Sequence, residues 1–280
     1  MTTHDLGFSP SADLFTELSR QLEAFGARGA AVELLSGSFD NVVYVHPAFG
    51  PDAAHPMSFT EELRAAPPVT LRQGSGTIGF RYGEPFSHIH ASFVDRNGRT
   101  TGGHLLPGTM IGRSGLQVRL HALLDVEWDS ADDAETGFPV FAPEKAVAVH
   151  SPAASTPAPP AEDVGDLVSA VIARIRPGEF LDEAVAQVAN RAGFSRARIV
   201  AGLGSTVGAL LDQIDGDGGP PTTVVWPAVE FTHLSGTVAT GGTRLIGEVV
   251  DVSGNVIAGA VRNGENPVAV TFELLMANDE

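Results

Sequence analysis

Polar and hydrophobic residues alternate along Ser87–Val94, and this period of two predicts a β-strand. His88 and His90 are two residues apart and therefore lie on the same face of the strand, opposite its hydrophobic face. The hydrophobic face carries Ile89, Ala91 and Phe93. The strand therefore presents two imidazoles side by side on one face of a sheet.

The residues after this strand predict a tight hairpin. Asp95–Gly98 is a strong turn signal, and a three-residue loop formed by its last three residues is a common hairpin connection with glycine in the left-handed conformation. Counting back from that turn, His104 on the second strand lies directly opposite His90. A loop of two or four residues would turn His104 to the other face, and a bulge at Gly102-Gly103 would change the register.

In this register the imidazoles of His88, His90 and His104 converge on one point. Three histidines with an open fourth position form a ligand set of catalytic zinc sites. We therefore expect a Zn²⁺ cofactor, with another divalent metal as an alternative on the same ligands. The competing interpretation is three unrelated histidines on the surface or in the core.

Outside the hairpin, the first half reads as one helix followed by strands. Hydrophobic residues at helical spacing predict a helix over residues 11–29, capped by Ser11 or Asp13. Strands are predicted at 30–36, 41–46, 69–80 and 116–127, with a long loop at 47–56. A helix followed by antiparallel strands indicates an α+β domain.

The second half repeats the first. A helix is predicted at 180–193, and the later segments 198–205, 234–238, 251–254 and 257–259 match 33–38, 74–78, 95–98 and 101–103. The three histidines then fall on Arg244, Ile246 and Ala260. The second copy keeps the turn and loses the ligands, so we expect its role to be structural.

These patterns divide the chain into three parts. Residues 1–145 form a domain with the candidate metal site, and residues 165–280 form a degenerate copy without the histidines. Between them, residues 146–164 belong to a stretch rich in Pro, Ala and Ser, which predicts an extended, mobile linker.

Composition narrows the class of protein and its partners. The chain has no cysteine, which excludes disulfides and thiolate metal sites. Its first residues lack the pattern of a signal peptide, and no apolar run approaches the ~18 residues of a membrane span, so we expect a soluble cytoplasmic protein without a membrane partner. The net charge of −17, with no basic cluster, argues against nucleic acid as a partner.

The motifs His88–Ala91, Asp95–Gly98 and Gly102–Gly108, with Gly202–Ser205 and Leu234–Thr237 in the second half, resemble the plant-and-prokaryote conserved domain. That resemblance covers both halves, about 30–145 and 170–277. It implies two tandem copies of an α+β domain with one helix and an antiparallel sheet, and it implies a homo-oligomer, with a trimer favoured.

The same resemblance implies a fold related to acetolactate decarboxylase, a zinc enzyme with an H-x-H…H ligand set. Only His88, His90 and His104 carry over as ligands. Family members are best known from AT-hook nuclear proteins and from bacterial proteins labelled DNA-binding. This chain has no AT-hook, is strongly acidic and is a tandem duplication, and each feature departs from the DNA-associated members.

We therefore expect a metal-dependent hydrolase or lyase that acts on a small carbonyl or carboxylate compound. Tyr44 and His55, in or beside a long loop, are the first candidates for the catalytic acid or base, and Arg113 is a candidate for binding the substrate. Further candidates are Asp52 and Glu33 as acid or base and His121 near the substrate. The alternatives are incidental surface positions and, for the whole chain, a non-enzymatic regulatory or DNA-associated protein.

Overall fold

Each half of the chain builds one large, mainly antiparallel sheet, and the first half also contains a separate two-stranded sheet. The computed structural model describes residues 1–52, 55–145, 169–214 and 223–279. Within those residues each half contains a single α-helix and otherwise consists of strands and their connections. The α+β fold class with two sheet-rich domains is therefore confirmed. The predicted linker, residues 146–164, lies outside the described residues.

The strands of the first half are β1 (Thr2–Phe8), β2 (Gly29–Val45), β3 (Pro47–Phe49), β4 (Met57–Phe59), β5 (Leu63–Ala65), β6 (Val69–Arg81), β7 (Glu84–Val94), β8 (Thr100–Leu105), β9 (Met110–Leu123), β10 (Val126–Asp132) and β11 (Pro139–Lys145). The main sheet has the order β1-β9-β2-β8-β7-β6-β10-β11, and β2 also pairs with β6 and β5. Strand β2 therefore joins β6, β7 and β8 into a closed circuit, which holds the β7–β8 hairpin on both sides.

The second half contains β12 (Ala170–Ile175), β13 (Ala197–Thr206), β14 (Ala209–Asp212), β15 (Thr223–Val225), β16 (Val229–Ala239), β17 (Gly242–Val250), β18 (Val256–Val261) and β19 (Val268–Asn278). They form one sheet in the order β12-β19-β13-β16-β17-β18-β14-β15. The sequence of a helix followed by paired strands is the same as in the first half.

Helix α1 (Leu14–Ala24) is shorter than predicted, because the chain enters it through a capped turn. Asp13 accepts a hydrogen bond from the backbone N–H of Thr16 at 2.9 Å, which satisfies one free donor of the first turn. The buried face of the helix consists of Leu14, Leu18 and Leu22. The second helix, α2 (Leu181–Arg191), lies inside the predicted range 180–193.

The prediction of two separate strands at 30–36 and 41–46 is wrong. The structure has a single strand there, β2, of 17 residues. The pairing of β2 with β9 contains three irregularities between Leu34 and Asn41. Gly37 lies within them at φ 136°, a conformation that favours glycine. The glycine thus marks an irregularity inside the strand where the sequence predicted an interruption.

Each domain packs its helix against one face of its sheet over a separate hydrophobic core. A third cluster joins the domains and packs Trp128, Phe141, Ala31 and Leu123 against Val200, Ala201, Leu275 and Ala277. A fourth packs Met57 and Val140 against Ala228, Ala269 and Val270. The two sheets are therefore in contact through the faces that do not carry the helices.

Neither of the two described helices is both long and apolar enough to cross a membrane.

Gly103 in β8 tests how tightly the hairpin is held. At φ 151° its backbone lies outside the range that other residues favour, and a Cβ would overlap the carbonyl oxygen of Val45. We expect Gly103→Ala to reduce the free energy of unfolding by about 3 kcal/mol, from strain and overlap together. Gly98→Ala is the matched control, because Gly98 also has positive φ (77°) with no atom within 4 Å of the added Cβ.

We expect the control to lose only about 1 kcal/mol. Urea unfolding followed by circular dichroism measures both values. Equal losses in the two variants would contradict the close contact between β8 and β2.

Candidate metal centre

The β7–β8 hairpin has the register that the sequence predicts. His90 pairs with His104, and the pairing runs from there to Val94 and Thr100 without a shift. The turn closes as expected, because the N–H of Asp95 donates to the carbonyl oxygen of Arg99 at 3.0 Å and Gly98 has φ 77°. The alternative registers, with a bulge or a different loop length, are therefore wrong.

The second hairpin gives the same pairing without the ligands. Ile246 pairs with Ala260, as predicted for the counterparts of His90 and His104. The turn is kept as well, since the N–H of Asp251 donates to the carbonyl oxygen of Asn255 at 3.1 Å. The turn therefore belongs to the scaffold that both copies share.

His88, His90 and His104 form a compact cluster. The Nε2 atoms of His88 and His90 are 3.0 Å apart, and one ligand atom from each of the three residues lies within 4.8 Å of the others. The rings are tilted or edge-on to one another, with centroids 4.6–5.3 Å apart. His90 is almost fully buried, at 1% exposure.

The second domain orients two of these rings. His88 Nδ1 lies 2.8 Å from Glu273 Oε1, and His90 Nδ1 lies 2.9 Å from the carbonyl oxygen of Phe231. Because a carbonyl and a carboxylate only accept hydrogen bonds, each Nδ1 carries the proton and donates. In the neutral rings both Nε2 atoms then hold lone pairs that face each other, an arrangement that a shared cation satisfies.

The charges and unpaired atoms around the cluster also suit a divalent cation. Glu230 Oε1 lies 3.3 Å from His90 Nε2, and Glu230 and Glu273 are each only 1% exposed. These two carboxyl groups are buried beside the imidazoles, and buried charge is normally paired or bound to a metal. His104 Nδ1 is buried without a hydrogen-bond partner among the described residues. The residues present therefore fit a metal held by the three histidines.

Burial and charge act differently on two of the histidines. Burial lowers the pKa of His104 well below its usual range, and the neighbouring His88 and His90 lower it further, so this ring is neutral as a ligand must be. For His90, burial lowers the pKa, but the charge and hydrogen bond of Glu230 outweigh that effect and raise it. The carboxylates thus favour a positive charge at this point.

A cavity of about 480 Å³ opens over the cluster. The three histidines line it together with Glu230 and Glu273, and most of its remaining wall is apolar. The apolar wall includes Phe59, Phe86, Phe138, Phe141 and Met57. The volume falls within the usual range of small-molecule sites, about 300–1,000 Å³.

The structure does not bring Tyr44 to this cavity. Val45 is the residue that pairs with His104, so Tyr44 points to the opposite face of the sheet. There it packs edge-on against His46 and Phe93 in the core, and burial raises the pKa of its hydroxyl. Its predicted catalytic role finds no support in this position.

The other predicted residues also lie outside the cavity lining. His55 contacts Asp52 on the surface, with Nδ1 and Oδ1 3.1 Å apart. Arg113 is exposed on β9. Buried His121 lies 2.8 Å from Glu33, on the β2–β9 side of the sheet. The hairpin histidines are the predicted site residues that the structure gathers together.

Two residues of the site, Glu230 and Glu273, are not among those predicted from the sequence. Each stands alone as a charged residue among hydrophobic neighbours, in Val229–Phe231 and Phe272–Leu274. A carboxylate in a buried strand needs a partner, so this pattern was the available signal. The sequence did not indicate that the partner is the first domain.

Comparison with known proteins agrees with the duplicated architecture. The family model of the Plants and Prokaryotes Conserved (PCC) domain matches residues 1–121 and 163–278. No curated protein matches the chain at a significant level.

Three solved structures with similar folds each cover about half of the chain. A metal-containing protein from Archaeoglobus fulgidus is 20% identical over 50% of this chain and 93% of its own, with a TM-score of 0.43. A plant- and prokaryote-conserved protein from Pyrococcus horikoshii is 17% identical over 52% and 94%, with a TM-score of 0.42. A protein from Ralstonia eutropha JMP134 with a provisional DNA-binding name is 17% identical over 49% and 88%, with a TM-score of 0.42.

His90→Ala tests the cluster directly. We expect the wild-type chain to bind about one equivalent of zinc and the variant to lose it, because a three-ligand site cannot hold the metal with two. Mass spectrometry of metal content measures both. His121→Ala is the control, since His121 is also buried and paired with a carboxylate but lies outside the cluster.

A wild-type protein that takes up no metal would contradict the site. If His90→Ala unfolds while His121→Ala stays folded, the metal has a structural role.

Glu273→Gln tests the contribution of the second domain. We expect metal affinity to fall about 10–100-fold, because the partner of His88 loses its charge. Competition with a coloured chelator measures the affinity. Asp133→Asn is the control, because Asp133 also forms an ion pair between the domains, with Arg174 at 2.6 Å, and does not line the cavity. Equal affinity in Glu273→Gln and the wild type would contradict the orienting role.

Proposed function

The chain belongs to the Plants and Prokaryotes Conserved domain family as a tandem pair, and from this premise we propose that it is a metal-dependent enzyme. Its reaction is hydrolysis or a lyase step on a small carbonyl or carboxylate compound. The observation that carries the proposal is the cluster of three histidines and two buried carboxylates that lines a cavity of about 480 Å³.

His88, His90 and His104 are the residues that would hold the metal, with zinc as the first choice for a ligand set of imidazoles alone. When bound there, a divalent metal supplies Lewis-acid chemistry, either polarising a carbonyl oxygen or lowering the pKa of water to about 7. Glu273 and the Phe231 carbonyl keep the protons of His88 and His90 on Nδ1, which leaves both Nε2 atoms free as ligands.

Glu230 is the residue best placed to move a proton. Its Oε1 lies 3.3 Å from His90, and its Oε2 is buried without a partner among the described residues. It also lines the cavity beside the histidines. A water molecule or a substrate C–H group held over the histidines would bring its proton near this carboxylate, which is the position that a general base requires.

The apolar walls of the cavity serve the same chemistry. Phe59 packs edge-on against His104 and Phe138, with centroids 5.7 and 5.6 Å apart. Such walls exclude bulk water, and electrostatic interactions inside the cavity become stronger as a result. The second domain closes the cavity from the other side with Val270 and Thr271.

A cytoplasmic location and assembly into a homo-oligomer, with a trimer favoured, stay predictions of the proposal. Nucleic acid stays disfavoured as a partner, because the charge of −17 opposes binding to phosphates.

The decisive experiment measures turnover with and without metal. We expect the zinc-loaded protein to hydrolyse 4-nitrophenyl acetate or to decarboxylate acetoacetate, and chelation to abolish that activity. Absence of both activities in protein that carries metal would remove these two reaction types. Tight DNA binding at physiological salt would favour the non-enzymatic alternative instead.

Glu230→Gln separates proton transfer from metal binding. We expect kcat to fall about 10²–10⁴-fold while the metal stays bound, because the amide cannot accept the proton. Steady-state kinetics and metal content are measured on the same sample. Glu248→Gln is the control, since Glu248 is equally buried in the second domain but pairs with Thr232 away from the cavity. A Glu230→Gln enzyme with unchanged kcat would contradict the assignment.

A further inference from the structure

We infer that the cavity takes an aromatic anion, which places its flat apolar body against the phenylalanine side chains of the wall and its charged group at Arg81. The inference deepens the proposed function and rests on it for the position of the reacting carbonyl, which would lie at the histidine end. The fit of the ligand to the walls and to Arg81 rests on the cavity alone.

The size of the cavity sets the scale of the ligand. A protein cavity of roughly 150 Å³ holds one benzene molecule. The volume of about 480 Å³ is about three times larger and so accommodates a body of two fused or linked rings with substituents. A compound as small as acetate would leave most of the wall uncovered.

The wall favours rings over flexible chains. Two aromatic pairs line it, Phe59 with Phe138 at 5.6 Å and Phe86 with Phe141 at 5.5 Å between centroids. Aromatic side chains prefer stacked or edge-to-face partners at 4.5–7 Å. A flat ligand held against these rings continues the same packing.

Charge is divided between the two ends of the cavity. Glu230 and Glu273 lie at the histidine end, while Arg81 is the one arginine or lysine among the described lining residues. Arg81 pairs in register with Glu84 on β7, four residues before His88, so the two ends are about 13 Å apart along the strand. An anionic group is therefore attracted to Arg81 and repelled by the carboxylates at the other end.

Arg81 is available for such a contact. Its Nε is buried and has no partner among the described residues. Its Nη2 lies 3.6 Å from Asp132, a carboxylate whose side chain is 78% exposed, so this ion pair is loose and screened by solvent. The guanidinium also lies 5.5 Å from the centre of the Phe86 ring, which places it beside this part of the aromatic wall.

The experiment compares two fluorescent dyes with the same rings. The anion 1-anilinonaphthalene-8-sulfonate carries a sulfonate, and N-phenyl-1-naphthylamine lacks it. We expect both dyes to bind the folded protein. We expect Arg81→Met to weaken the binding of the sulfonate dye alone about 10-fold, in line with the loss of a hydrogen bond to a charged group. Arg119→Met is the control, because Arg119 pairs with Asp5 on β1 and does not line the cavity.

A second variant tests the wall. We expect Phe138→Ala to weaken both dyes about five-fold, whereas Phe49→Ala, at a residue that is 70% exposed and outside the lining, leaves both unchanged. Thermal melting confirms that each variant is folded. Unchanged sulfonate binding in Arg81→Met, or equal weakening of both dyes, would overturn the assignment of Arg81.

The result separates this inference from the proposed function. Dye binding with the expected Arg81 dependence, in protein that takes up no zinc when zinc is supplied, would support the ligand class and count against the metal enzyme. Metal-dependent turnover without any dye binding would support the enzyme and overturn the aromatic anion.

Discussion

The burial of Glu230 and Glu273 against histidines of the other domain is the constraint on which the candidate site depends. Removing an ionised carboxylate from water costs several kcal/mol unless it gains close partners. These two glutamates find theirs only where the sheet of the second domain lies on the β7–β8 hairpin, with His88 at 2.8 Å and His90 at 3.3 Å. The apolar contacts between the domains keep the sheets together around this polar centre.

The duplication shows how this arrangement is divided between the copies. Gly37 in β2 and Gly204 in β13 occupy equivalent positions. Gly37 pairs with the residue before Gln117, and Gly204 pairs with the residue before Glu273, so Gln117 is the counterpart of Glu273. Strands β6 and β16 each contain a bulge, and matching the two bulges makes Thr70 the counterpart of Glu230. Gln117 and Thr70 are exposed and uncharged, whereas their counterparts are buried carboxylates.

The reverse holds for the hairpins. The first copy carries His90 and His104, whereas the second carries Ile246, which is 42% exposed, and Ala260. Each copy thus provides the half of the site that the other lacks. A domain separated from its partner would hold either imidazoles without carboxylates or carboxylates without imidazoles. The structural role expected for the second copy is therefore too narrow, because two of its side chains belong to the site.

Local signals determine which features could be read from the sequence. The register of His90 and His104 follows from the Asp95–Gly98 turn, because a turn of known length fixes the pairing of the strands beside it. The face of Tyr44 does not follow from a turn, since β2 and β8 are distant in the chain and their pairing puts Val45, not Tyr44, beside His104. The contact between the two sheets joins residues that are even farther apart in the chain, and no local pattern indicates it. Glu230 and Glu273 could therefore not be predicted from the sequence.

The same constraint links metal binding to the packing of the domains. In the packed state the two buried carboxylates place negative charge beside the imidazoles, and a divalent cation compensates it. In the separated state the same carboxylates are hydrated and have no imidazole beside them. A ligand that binds one state better stabilises that state by its differential affinity. The cation and the contact between the sheets therefore support each other, and the buried charge that opposes packing in the absence of metal favours it once the metal is bound.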